Sequence, residues 1–132
     1  MGTLLGFDYG VKKIGIAVGQ TVTATATPVI TLQAKQQKPD WDKISDLIKT
    51  WQPEALVVGM PFDLDDTEAE NAPHAQRFAR QLEGRYHLPV HMADERLTSM
   101  VALQELKGKR IQYGDADAFA AKLILETWLS EH

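Results

Sequence analysis

Five apolar residues in succession, Ala-Leu-Val-Val-Gly at Ala55 to Gly59, stand between a helical segment closed by Pro53 and an acidic loop. A strand with one wet face alternates apolar and polar residues, so an unbroken apolar run belongs to a strand covered on both faces. Such a strand needs helices on either side, and the flanking sequence supplies them. Trp41, Ile44, Leu47, Ile48 and Trp51 recur at helical spacing. After the acidic loop, Asp63 to Glu70, a helix is expected to about Glu83. Pro89 to Ala93 reads as a second buried-type strand, ending at Asp94-Glu95-Arg96. Two more helices are expected, from about Thr98 to Leu106 and from about Asp115 to Leu129.

The segment before Trp41 reads as three strands: Thr3 to Phe7, Ile14 to Val18, and Thr21 to Ile30, where Pro28 suits an edge position. The short connection Tyr9-Gly10-Val11-Lys12 predicts an antiparallel hairpin between the first two. Three strands followed by αβαβα predict an α/β fold, a mixed five-stranded sheet with helices on both faces. A chain of 132 residues fits this as one domain over residues 1–132.

Composition narrows the chemistry. With no cysteine there is no disulfide framework, no Cys-based zinc site and no thiol nucleophile, as suits a reducing compartment. The opening Met-Gly-Thr-Leu-Leu-Gly-Phe-Asp lacks the basic start and long apolar run of a secretory signal. No apolar stretch approaches the roughly 20 residues that span a bilayer. Cytoplasmic residence without a membrane partner is the expectation. A net charge of −4 weighs against a passive nucleic-acid coat but not against an enzyme whose acids hold metal ions.

In sheets of this kind ligands bind beyond the carboxyl ends of the parallel strands. Asp8 and Glu95 each follow a strand directly. On the last helix, at about 100° per residue, Asp117, Ala121, Ile124 and Trp128 fall on one stripe, flanked by Ala120 and Leu125. Asp115, Lys122 and Glu126 fall opposite. Asp117 is therefore expected at the start of the buried face, and a carboxylate there must be paired, hydrogen-bonded or metal-bound. Taken singly, each acid has an ordinary reading. Asp8 suits a turn, Glu95 can pair with Arg96, and Asp115 and Asp117 complement the helix dipole. Taken together, the three suit a pair of hard cations about 3.5–4 Å apart.

Other chemistries lack their patterns. His74, His87, His91 and His132 show no zinc spacing. The acidic loop departs from a calcium loop, with Thr67 where Asp or Asn is expected and Glu68 where Gly is needed. No P-loop or nucleophile elbow occurs. Lys107, Lys109 and Arg110 form a basic cluster that is either a solvated loop or a phosphate contact.

Phe7-Asp8-Tyr9-Gly10-Val11-Lys12-Lys13-Ile14-Gly15-Ile16-Ala17 resembles the opening motif of the YqgF family. Val58-Gly59-Met60-Pro61-Phe62 with Asp66-Thr67-Glu68, Asp94-Glu95-Arg96-Leu97-Thr98, and the helix from Asp117-Ala118 to Ile124-Leu125-Glu126 resemble its later motifs in order. The family is RNase H-like, described as Holliday junction resolvases and linked to maturation of small-subunit ribosomal RNA. The resemblance implies that Asp8, Glu95 and Asp117 are catalytic, metal-binding acids and that Lys12 and Arg96 are basic positions that contact phosphate or orient the acids. Lys107, Lys109 and Arg110 lie between two of these acids, which favours a substrate-binding role for that cluster over a merely solvated loop. Two departures bear on substrate positioning. The segment between Glu95 and Asp117 is shorter and less glycine-rich than the family's, and Val101 stands where an acid is common.

The expected activity is hydrolysis of phosphodiesters with Mg²⁺ or Mn²⁺, in a two-metal site bridged by Asp8. The expected substrate is the small-subunit ribosomal RNA precursor at its 5′ end, alone or within ribosomal particles. A four-way DNA junction is the alternative. Nucleotide binding, as in two-lobed ATPases that open with Asp-x-Gly, and a catalytically silent module are the readings from other classes. No heptad run or long apolar edge strand points to a dimer, so a monomer or weak dimer is expected.

Overall fold

A computed structural model describes residues 2–10, 12–34, 38–59, 68–93 and 116–131. Its five strands are β1 (Thr3–Tyr9), β2 (Lys13–Gln20), β3 (Thr25–Gln33), β4 (Ala55–Gly59) and β5 (Val90–Ala93). Its described helices are α1 (Trp41–Trp51), α2 (Glu68–Tyr86) and α3 (Ala116–Glu131). The strands form one sheet in the order β3-β2-β1-β4-β5. β1, β2 and β3 pair antiparallel, and β1–β4 and β4–β5 pair parallel. The expected helix from Thr98 to Leu106 lies outside the described residues.

Strand alternation divides the core in two. Leu5, Phe7 and Tyr9 of β1, Ile14, Ile16 and Val18 of β2, and Leu56 and Val58 of β4 are buried on the face covered by α1 and α2. Helix α1 contributes Ile44, and α2 contributes Ala75, Phe78, Ala79 and Leu82. Phe78 is the hub there, 5.6 Å from Phe7, 5.0 Å from Tyr9 and 5.7 Å from Trp41 between ring centroids. The other face carries Leu4, Ala55 and Val57 under Ile124, Leu125 and Leu129 of α3. Here the sheet residues are small because the helix lies close. A Cβ on Gly6 would stand 3.0 Å from the Leu125 Cβ, and one on Gly19 would stand 2.7 Å from the Leu125 Cδ2.

Three expectations need correction. β5 is not buried on both faces: His91 and Met92 are exposed, Met92 at 43%, because the strand is the last in the sheet order. Thr21 to Ala24 form a turn, and β3 begins only at Thr25, since Ala24 takes a left-handed φ of 53°. β3 is indeed an edge strand, and the register skips Val29, so that Ala17 pairs with Pro28 after Ile16 pairs with Ile30. The bulge accommodates a residue that has no N–H to give the ladder. Trp51 is 38% exposed rather than core-facing: it ends α1, which closes on Gln52 (φ 45°), and it lines an open cleft with Val18 of β2 and Thr27 and Pro28 of β3. Trp41 and Trp128 do pack against the two cores.

Candidate active site

Asp8 is the next-to-last residue of β1 and faces α3, in step with Leu4 and Gly6. The pairing register runs a single row through it: Gly15 on β2, Asp8 on β1, Gly59 on β4, and Ala93 on β5. Each neighbour of Asp8 in that row is glycine or alanine. The carboxyl end of the two central parallel strands therefore presents one acid on a floor without large side chains.

Helix α3 supplies the second acid. Asp117 lies in its first turn and is half-buried. The helix start rests on Gly15 so closely that a Cβ there would collide with the Asp117 carbonyl and stand 2.7 Å from the Ala118 nitrogen. Since Gly15 is the register partner of Asp8, this contact brings Asp117 to Asp8. The buried line of the helix runs through Ala118, Ala121, Leu125 and Leu129 with Ile124 beside it. That is a shift of one residue from the expected stripe, and it leaves Asp117 on the flank of the buried face, at the edge of the cleft. Glu126, expected among solvated residues, is half-buried and accepts a hydrogen bond from the Ala26 N–H at 3.3 Å.

Asp8 is 9% exposed, and its Oδ1 is buried without a hydrogen-bond partner among the described residues. Burial, and secondarily repulsion from the Asp117 carboxylate, raises its pKa from 3.8 to about 8. An uncompensated buried carboxylate costs free energy unless a proton or a cation accompanies it. Tyr9, the next residue, points to the opposite face, where burial raises its pKa and Arg77 partly offsets the rise.

Of the residues singled out from the sequence, Asp8 and Asp117 meet at this end of the sheet. Lys12 lies exposed in the hairpin just beyond Asp8, its carbonyl accepting from the Ala34 N–H at 2.8 Å. Glu95, Arg96, Lys107, Lys109 and Arg110 lie outside the described residues. Gly15 was not foreseen, although a glycine facing Asp8 across a hairpin marks a close approach by another element. Among the described residues no group of three or more potential metal ligands forms.

The structure aligns over nearly its whole length with solved structures that show its fold. Thermus thermophilus RuvC in complex with a Holliday junction substrate aligns with a TM-score of 0.58 at 15% identity, over 98% of this chain and 94% of that one. The fowlpox virus Holliday junction resolvase aligns with a TM-score of 0.55 at 10% identity, over 98% and 99%. The fold is RNase H-like. Within that class the chain belongs to the RuvX family, described as Holliday junction resolvase, whose sequence model matches residues 2–131. A relative from Azotobacter vinelandii, provisionally named a pre-16S rRNA nuclease, is 47% identical over 136 residues, covering 97% of this chain and 93% of the relative. One of the same name from Pseudomonas putida is 49% identical over 131 residues, covering 96% and 93%.

Proposed function

We propose that this chain is a divalent-metal-dependent nuclease that hydrolyses phosphodiester bonds in the small-subunit ribosomal RNA precursor, at its 5′ end, in the cytoplasm. The observation that carries the metal site is the buried, unpartnered Asp8 Oδ1 beside a second acid on a floor of glycine and alanine. Such a group suits a hard cation, since carboxylate oxygens are the ligands Mg²⁺ and Mn²⁺ prefer. Asp8 and Asp117 would hold it together with Glu95. Glu95 follows by two residues Ala93, which shares the Asp8 row. Bound there, two such cations would polarise the phosphate and lower the pKa of attacking water.

The chain's own residues do the positioning. β1 and the Gly15–α3 contact fix the two acids on rigid elements, and the apolar floor keeps bulk water from the inner oxygen of Asp8. Lys12 and Arg96, with Lys107, Lys109 and Arg110, bind the backbone phosphates. The names of the relatives favour the ribosomal precursor as substrate. The family's description favours a four-way DNA junction as the second reading.

A panel of labelled ribosomal precursor, junction DNA and single-stranded RNA, each with Mg²⁺, Mn²⁺ or chelator, tests the assignment. Cleavage of the precursor that needs metal and is absent from Asp8→Asn is the expected result. Paired symmetric nicks in the junction alone would move the assignment to DNA.

A further inference from the structure

We infer that Lys13 is a substrate-binding residue whose ammonium holds a backbone phosphate of the nucleic acid next to Asp8. The inference rests on the nuclease reading above and assigns it a contact beyond the metal acids.

The strand pattern places the side chain. Along β2, Ile14, Ile16 and Val18 are buried against α1 and α2, so Lys13, Gly15, Ala17 and Gly19 face α3. The Asp8–Gly15 register makes Lys13 the diagonal neighbour of Asp8 on that same face, a spacing of roughly 7–8 Å in antiparallel sheets. Gly15 itself is covered by the start of α3. Lys13 is thus the first position of β2 to emerge beyond the helix, and it is exposed. Its backbone is fixed on both sides, paired to Gln33 of β3 and adjoining the Lys12 carbonyl that takes the Ala34 N–H.

The charge is unspent. Among the described residues Lys13 forms no ion pair, although two acids lie near this end of the sheet. An ammonium that neutralised Asp8 would work against cation binding there. One that stands a diagonal step away leaves the acids free and meets the anion that must approach them. On a chain of net charge −4, holding a polyanion at the acids requires local positive charge at the cleft, and a sheet residue aims that charge better than a loop residue does. Lys12 in the turn and Lys13 in the strand then contact successive phosphates.

The test compares full-length parent, Lys13→Gln, Lys13→Arg and Lys49→Gln on labelled single-stranded precursor RNA, across about 50 to 200 mM salt. Lys49 is an exposed lysine in the last turn of α1, at the opposite end of the sheet. Lys13→Gln should raise KM by about 3- to 10-fold with kcat little changed, the size of one lost phosphate contact. It should also reduce the slope of log KM against log salt by about 0.7. Lys13→Arg should restore both, and Lys49→Gln should match the parent. A parental KM and salt slope in Lys13→Gln would overturn the inference. So would a loss that appears in kcat with the slope unchanged, or one that arginine does not rescue. If the parent cleaves no nucleic acid at all, the nuclease reading itself has failed and this inference falls with it.

Discussion

Asp8 concentrates the chemistry of the site in one side chain. Its pKa of about 8 means that the folded, metal-free protein keeps a proton which the unfolded chain releases near 3.8. Between those values the native state binds the extra proton, so stability is highest on the acid side and falls as pH rises toward 8. Asp8→Asn removes the titration. In metal-free buffer at pH 8 the Asn variant should be more stable than the parent by at least about 1 kcal/mol, with the gap closing toward pH 5. Urea midpoints at the two pH values measure this, and an Asn variant less stable at pH 8 would mean that Asp8 has a partner in the fold. Asp8→Asn, Glu95→Gln and Asp117→Asn should each abolish cleavage with the fold intact. Asp115→Asn should cost little, and a loss equal to that of Asp117→Asn would show that the other acid serves the site.

The elements explain which of these features could be read in advance. The bounds of α1 and β4 and the β1–β2 hairpin follow from local pattern, because apolar period and turn residues agree there. Asp8 was legible as an acid at a strand end, and Asp117 as an acid in the first turn of the last helix, although it lies on the flank of the buried stripe and not in it. The end of α2 was less so. A stop near Gly84 is the natural reading, yet nothing lies within 4 Å of a Cβ there, and the helix continues to Tyr86. Tyr86 packs on the core and its hydroxyl meets the Ser45 hydroxyl at 2.7 Å, while His87 takes the left-handed position (φ 54°) that glycine usually fills. The turn at Ala24 is of the same kind, a left-handed residue with no glycine to announce it. The Gly15–α3 contact was hidden for another reason, since it joins residues about a hundred positions apart. It yields a prediction at this scale. Gly15→Ala should cost about 1–3 kcal/mol and most of the cleavage activity, because the new methyl meets backbone of α3. Gly19→Ala meets only side-chain atoms, of Leu125 and Leu129, and should be milder in both. Equal effects in thermal melts and cleavage assays would deny Gly15 its role in seating Asp117.

For the molecule as a whole, the β3 edge of the sheet bears on assembly. β3 carries Pro28 and a bulge, and the carboxylate of Glu126 takes the Ala26 N–H. These features blunt an edge that would otherwise pair with a second copy. A monomer in sedimentation at micromolar concentration is expected. A stable dimer that assembles on a junction would favour paired DNA cleavage, since two symmetric cuts need two facing sites. The net charge of −4 makes the local field at the site depend on cations, which joins metal binding to proton release. Isothermal titration of Mn²⁺ into metal-free parent and Asp8→Asn at pH 7, in two buffers of different ionisation enthalpy, tests that link most directly. Mn²⁺ should bind the parent and release close to one proton from Asp8, and the Asn variant should lose this binding and release. Equal Mn²⁺ binding by both proteins, or none by the parent, would contradict that link.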